Sequence, residues 1–125
     1  MVLKFYKCMK CGKIVAMLKG SPCDTMCCGE AMVELKANTT DAAVEKHVPV
    51  LQLNGNVVQV SVGSVSHPME EKHFIEWIAL ETSAGNQIKF LKPGSEPKAT
   101  FALADGEEVV RAYAYCNLHG LWADK

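Results

Sequence analysis

In the segment Ala114-Tyr115-Cys116-Asn117-Leu118-His119-Gly120 a thiol and an imidazole stand with two residues between them. Both can reach one metal ion from a single tight loop. Two donors do not complete a transition-metal site, which turns attention to the other histidines. There are three: His47 in Glu45-Lys46-His47-Val48-Pro49, and His67 and His73 at the two ends of His67-Pro68-Met69-Glu70-Glu71-Lys72-His73. Each lies in a short polar segment beside an apolar run, where side chains from separate strands can converge on one end of a sheet. A single histidine at a strand end is ordinarily a solvated surface residue. Four of four in that position, one of them beside a cysteine, form a pattern. Four imidazoles and a thiolate are too many for structural zinc, which takes four ligands, and suit a redox iron with one open position. The short tether from Cys116 lets His119 reach such an ion only through its nearer nitrogen, Nδ1. The other three, arriving from separate segments, are free to use Nε2.

The remaining five of six cysteines lie in the first thirty residues. Cys8-Met9-Lys10-Cys11-Gly12 has the form of a metal knuckle, in which the glycine lets the backbone fold back and point N–H groups at sulfur. Val15, Met17 and Leu18 supply a short strand, and after a turn at Gly20-Ser21-Pro22 the run Cys23-Asp24-Thr25-Met26-Cys27-Cys28-Gly29 returns more thiols than a four-coordinate site needs. Cys8, Cys11, Cys23 and Cys27 make two spaced pairs of zinc-ribbon kind. Cys8, Cys11, Cys27 and Cys28 use a vicinal pair instead, and spacing leaves both open. Four thiolates in a tetrahedron hold zinc or iron equally well. So few apolar residues fold poorly alone, and a bound metal supplies the missing stabilisation.

The elements that must position these donors read as strands. With 125 residues, 49% of them hydrophobic, the chain can bury one moderate core and a small satellite. Residues Glu34 to Ala43 are polar, lack a periodic apolar face and read as a linker. Beyond it, Val48–Leu53 and Val57–Val62 flank Asn54-Gly55, a hairpin signal. His73–Thr82 is apolar, β-branched and aromatic. A turn at Ala84-Gly85-Asn86 leads to Gln87–Leu91, and Ala99–Leu103 and Glu108–Tyr115 follow on either side of Asp105-Gly106. Short strands at this spacing, with no convincing helix, predict an all-β chain in two parts: a small metal domain over residues 1–37 and an antiparallel immunoglobulin-like β-sandwich over residues 38–125. The net charge of −1 and the interspersed lysines give no electrostatic footprint for nucleic acid. No segment approaches a membrane span or an export signal, which predicts a cytoplasmic protein whose clustered cysteines ligate metal rather than pair as disulfides.

The segments Glu45-Lys46-His47-Val48-Pro49, His67-Pro68-Met69-Glu70-Glu71-Lys72-His73 and Cys116-Asn117-Leu118-His119-Gly120 resemble the active-site motifs of superoxide reductases. Cys8 and Cys11 with Cys27-Cys28 resemble the desulforedoxin domain carried by the two-iron members, the desulfoferrodoxins. The likeness covers nearly the whole chain. It implies two irons: a rubredoxin-like one on Cys8, Cys11, Cys27 and Cys28, and a catalytic one with His47, His67, His73 and His119 equatorial and Cys116 axial. Cys23 has no counterpart in the pattern and is taken as a free thiol. The likeness also implies a homodimer and an electron donor of rubredoxin type.

The expected activity is the one-electron reduction of superoxide to hydrogen peroxide. Ferrous iron with one thiolate and four neutral imidazoles carries a net positive charge, which attracts a small anion, and the thiolate pushes electron density toward it. By resemblance, Lys46 steers superoxide in and orders a proton-delivering water, and Glu45 serves as a resting ligand once iron is ferric. Two other readings differ in chemistry: a superoxide dismutase, whose ferric site must also oxidise superoxide, and a non-enzymatic electron carrier or zinc protein with two metal clips.

Overall fold

The computed structural model describes residues 3–125; the first two residues of the expected small domain lie outside the described residues. The chain divides into two compact units, one ending at Lys36 and the other spanning Ala37–Lys125. In the first, β1 (Lys4–Lys7) is the central strand of an antiparallel sheet between β2 (Ile14–Met17) and β5 (Val33–Glu34), and β3 (Met26–Cys27) pairs with β4 (Glu30–Ala31). Its buried apolar residues are few: Leu3, Phe5, Cys8 and Met32. Such a unit depends on more than hydrophobic burial.

The second unit opens with a single helical turn, α1 (Val44–His47), where the sequence shows no helical pattern. Four residues are too few for periodicity to register. There follow β6 (Pro49–Asn54), β7 (Val57–Val62), β8 (Ile75–Thr82), β9 (Gly85–Phe90), β10 (Lys98–Ala102), β11 (Val109–Cys116) and β12 (Gly120–Ala123). They form a three-stranded sheet in the order β10-β7-β6 and a four-stranded sheet in the order β12-β11-β8-β9, every pairing antiparallel. The all-β expectation holds, with α1 the one helix among the described residues.

Alternation places the core. Val58, Val60 and Val62 of β7 and Ala99 and Phe101 of β10 meet Ile75, Ile78 and Leu80 of β8 and Ala112, Ala114 and Cys116 of β11 in one cluster. Each fully buried aliphatic or aromatic side chain there contributes about 1.5–3 kcal/mol. Cys116 is the last inward position of its strand, in step with Ala112 and Ala114.

Three boundaries differ from the sequence reading. The first hairpin turns on Gly55-Asn56, since Asn54 pairs with Val57 and Gly55, at φ 64°, takes the central position that a type II′ turn reserves for glycine. The second turns on Ser83-Ala84, because Thr82 pairs with Gly85. The stretch expected to be a linker begins inside β5 and is tied down further on: the Asn38 carboxamide donates to the Ala123 carbonyl (3.1 Å) and accepts from the Ala123 N–H (3.0 Å), extending the edge of β12.

Candidate metal centres

Donor atoms gather in two places. The sulfurs of Cys8, Cys11, Cys27 and Cys28 all lie within 4.8 Å of one another, and Cys23 is not among them. The geometry thus brings together the set that uses the vicinal pair, leaving Cys23 exposed with its N–H on Ser21 Oγ. Cys27 ends β3, and Cys28 follows in the left-handed region at φ 52°, so the turn splays the two adjacent thiols toward one point. The knuckle works as its glycine suggests: the Cys11 N–H points at Cys8 Sγ (3.5 Å). That N–H is the main cause of a Cys8 thiol lowered to about 6. Cys27 is pushed up to about 12, chiefly by the neighbouring Cys8 and Cys11 sulfurs. All four sulfurs can be thiolates at once only around a cation.

The second gathering stands at one end of the sandwich. Donor atoms of His47, His67, His73 and Cys116 lie within 4.8 Å of one another. His119 joins them through Nδ1, 3.1 Å from His47 Nε2 and 3.9 Å from Cys116 Sγ. Nε2 of His67 is 3.2 Å from Nε2 of His47. The rings stand edge to face around a common centre, neighbouring centroids being 4.7 to 5.2 Å apart. His47 Nδ1 lies 2.6 Å from the Ala43 carbonyl, and His67 Nδ1 the same distance from that of Pro68. Both rings therefore carry their proton on Nδ1 and turn a bare Nε2 inward, the tautomer a metal needs. His73 Nε2 is buried without a hydrogen-bond partner. A nitrogen in that state is a donor waiting for a cation, so the set fits a single metal ion of intermediate softness.

Local electrostatics agree. Burial pushes His67 down to about 4 and lowers His47 in the same way, so both imidazoles are neutral at pH 7. Burial raises the Cys116 thiol, partly opposed by the N–H groups of Leu118 and His119 that point at its sulfur. A histidine held below its unfolded value favours the native state above that value and loses the effect as protons return. The metal-free protein is therefore expected to lose stability progressively as pH falls from about 6.5 toward 4. Urea midpoints across that window check it: a flat profile contradicts the neutral, buried His67.

Glu45 and Lys46 are exposed on α1, beside buried His47. Their turn is pressed onto the loop after β7, where the Glu45 carbonyl accepts from the Val65 N–H (2.9 Å) and from Ser64 Oγ (3.2 Å). Gly63 makes the approach possible, since a Cβ there would lie 2.6 Å from that carbonyl. Sequence reading missed the supporting residues. The Trp122 indole stacks on His47 at 4.7 Å and donates to the His119 carbonyl (3.1 Å), and Asn117 bonds to the segment that bears His73. The signal in the sequence was position: Asn117 adjoins Cys116, and Trp122 follows His119 by three residues.

A mostly antiparallel β chain with one cluster of four cysteines and one of histidines with a cysteine matches the desulfoferrodoxin family over residues 39–125, and the chain belongs to that family. A desulfoferrodoxin homolog of Archaeoglobus fulgidus is 50% identical over 121 residues, covering 97% of this chain and 95% of its own. The desulfoferrodoxin of Nitratidesulfovibrio vulgaris is 50% identical over 119 residues, covering 95% and 93%. The crystal structure of the superoxide reductase from Treponema pallidum superposes with a TM-score of 0.85 at 38% identity and covers all of both chains. A one-iron superoxide reductase from Giardia intestinalis, 42% identical with a TM-score of 0.55, covers 63% of this chain and 94% of its own.

Proposed function

We propose that the protein is a superoxide reductase, converting superoxide, one electron and two protons to hydrogen peroxide at the centre formed by His47, His67, His73, His119 and Cys116. The observation that carries this is the convergence of four ring nitrogens and one buried sulfur, with His73 Nε2 left without a protein partner. The relatives named superoxide reductase agree with it. Iron held by this set would supply the one electron that superoxide takes up. A second iron belongs with Cys8, Cys11, Cys27 and Cys28.

The chain's own residues do the rest. Around a divalent iron, four imidazoles and one thiolate would leave the centre net positive toward an approaching anion. Buried Cys116, shielded from water, releases electron density toward the metal when ionised. Lys46 supplies local positive potential in a unit where Asp and Glu outnumber Lys and Arg across residues 37–125. Its exposed ammonium and the water around it bring protons to the product. Glu45, also exposed and two residues before His47, is the resting ligand that the family likeness implies. An electron donor of rubredoxin type, a homodimer and a cytoplasmic location complete the reading and rest on the family likeness. The division at residues 37 and 38 is supported by the two compact units, and the immunoglobulin-like form of the second by its three- and four-stranded sheets around one core.

The test is stoichiometric: reduced protein should yield one hydrogen peroxide for each superoxide consumed. One for every two identifies a dismutase and overturns the proposal, as does a colourless zinc protein with no reaction. Lys46→Ala is expected to slow the encounter with superoxide severalfold and to flatten its dependence on ionic strength, while Glu45→Ala leaves the encounter much less affected. Pulse-radiolysis rates over a salt series check this, and equal slowing in both variants denies Lys46 its role.

A further inference from the structure

The antiparallel ladder between β8 and β11 slips register between Tyr115 and Cys116 and ends at the pair Cys116–Ile75. One residue further on, the chain must leave the sheet to turn through Leu118 toward His119. At that point the backbone groups flanking His73 would lose their partners, and the Asn117 carboxamide replaces them. Its Oδ1 accepts from the Phe74 N–H (3.0 Å) and its Nδ2 donates to the Lys72 carbonyl (2.9 Å). The Asn117 N–H also donates to the Phe74 carbonyl (3.2 Å). The side chain thus grips the backbone immediately before and immediately after His73, from a position between Cys116 and His119.

The four histidines are held in different ways. A carbonyl 2.6 Å from Nδ1 fixes the ring of His47, and another fixes that of His67. His119 is tethered to Cys116, and its carbonyl is held by Trp122. For His73, with Nε2 buried and unpartnered, the visible hold is on the backbone. It comes from the mutual pairing of His73 with Glu70 (2.9 and 3.1 Å) and from Asn117. The Glu70 pairing lies within the His73 loop itself, whereas the Asn117 bonds join that loop to the one carrying Cys116 and His119.

We propose that Asn117 is a positioning residue which, through its two carboxamide hydrogen bonds, sets His73 against Cys116 and His119 and so pre-forms the five-ligand centre. The inference rests on the metal-centre reading above, and it concerns a residue that touches neither metal nor substrate. An outer-shell partner of this kind is worth roughly 10–100-fold in metal affinity.

The test uses the full chain and Co(II), titrated against a competing chelator. The thiolate-rich site of Cys8, Cys11, Cys27 and Cys28 serves as an internal reference, separated by its own absorption bands. Asn117→Ala should weaken Co(II) at the histidine site by roughly 10–100-fold and leave the four-cysteine site unchanged. Asn117→Asp keeps the acceptor for Phe74 and loses the donor to Lys72, so it should fall between. In a His73→Ala background, Asn117→Ala should cost nothing further, because its effect runs through His73. Unchanged affinity in both Asn117 variants overturns the proposal. So does an equal loss at both metal sites, or a full additional loss in the His73→Ala background. If Asn117→Ala fails to fold, the Asn117→Asp variant and its combination with His73→Ala decide by the same criteria. Wild-type protein that takes up Co(II) only at the four cysteines overturns the metal-centre reading and this proposal together, an outcome distinct from the others.

Discussion

Cys116→Ser is expected to collapse superoxide reduction while the protein still folds. The substitution is nearly isosteric in a strand whose neighbouring inward residues, Ala112 and Ala114, are untouched, so the core retains its packing. What changes is the donor. Cys116 is fully buried, with the Leu118 and His119 N–H groups aimed at its sulfur, and serine offers in its place a hard hydroxyl that stays protonated. The four imidazoles remain and can retain a metal ion, but without a thiolate the electron release toward superoxide is gone. Removing a ligand's outer partner alone costs roughly 10–100-fold, and loss of the ligand itself should exceed that. The thiolate-to-iron charge-transfer absorption should vanish with the activity. Rapid mixing with superoxide, together with iron analysis, checks both. A variant with full iron and undiminished reduction would remove the thiolate from the mechanism.

Cys8→Ser should have the complementary effect. Cys8 is the buried member of its cluster and its readiest thiolate, lowered to about 6 by the Cys11 N–H. Without it three sulfurs remain, one short of the set that a tetrahedral site takes. The variant should lose metal and colour at that site. The unit ending at Lys36, with four buried apolar residues among those described, should then be the first part of the chain to yield to denaturant or protease. Superoxide reduction should stay near the wild-type rate, since every donor of the proposed catalytic centre lies beyond residue 46. A large loss of the fast reaction in Cys8→Ser would mean that the chemistry has been assigned to the wrong cluster.

Residue types and local spacing made much of this legible in the sequence. The alternation of Val58, Val60 and Val62, and of Ala112, Ala114 and Cys116, declares strands and their inward faces, because side chains on a strand point to opposite sides with period two. A Cys-x2-Cys knuckle, and a cysteine and a histidine three positions apart, announce ligands because short tethers allow only a few geometries. The choice among thiols was not local. Cys23 and Cys28 differ little in type or spacing, and it was the left-handed turn at Cys28, next to β3 and β4, that brought one in and left the other out. β12 went unseen because Gly120–Ala123 is too short to show a pattern and exists by pairing with β11. The α1 turn is likewise too short to declare itself, and Gly63 leaves room for it to press on the loop after β7. The same holds for the grip of Asn117 on both sides of His73 and the stacking of Trp122 on His47. These contacts join residues 43 to 75 positions apart, and at such separations only the folded sheets decide which atoms meet.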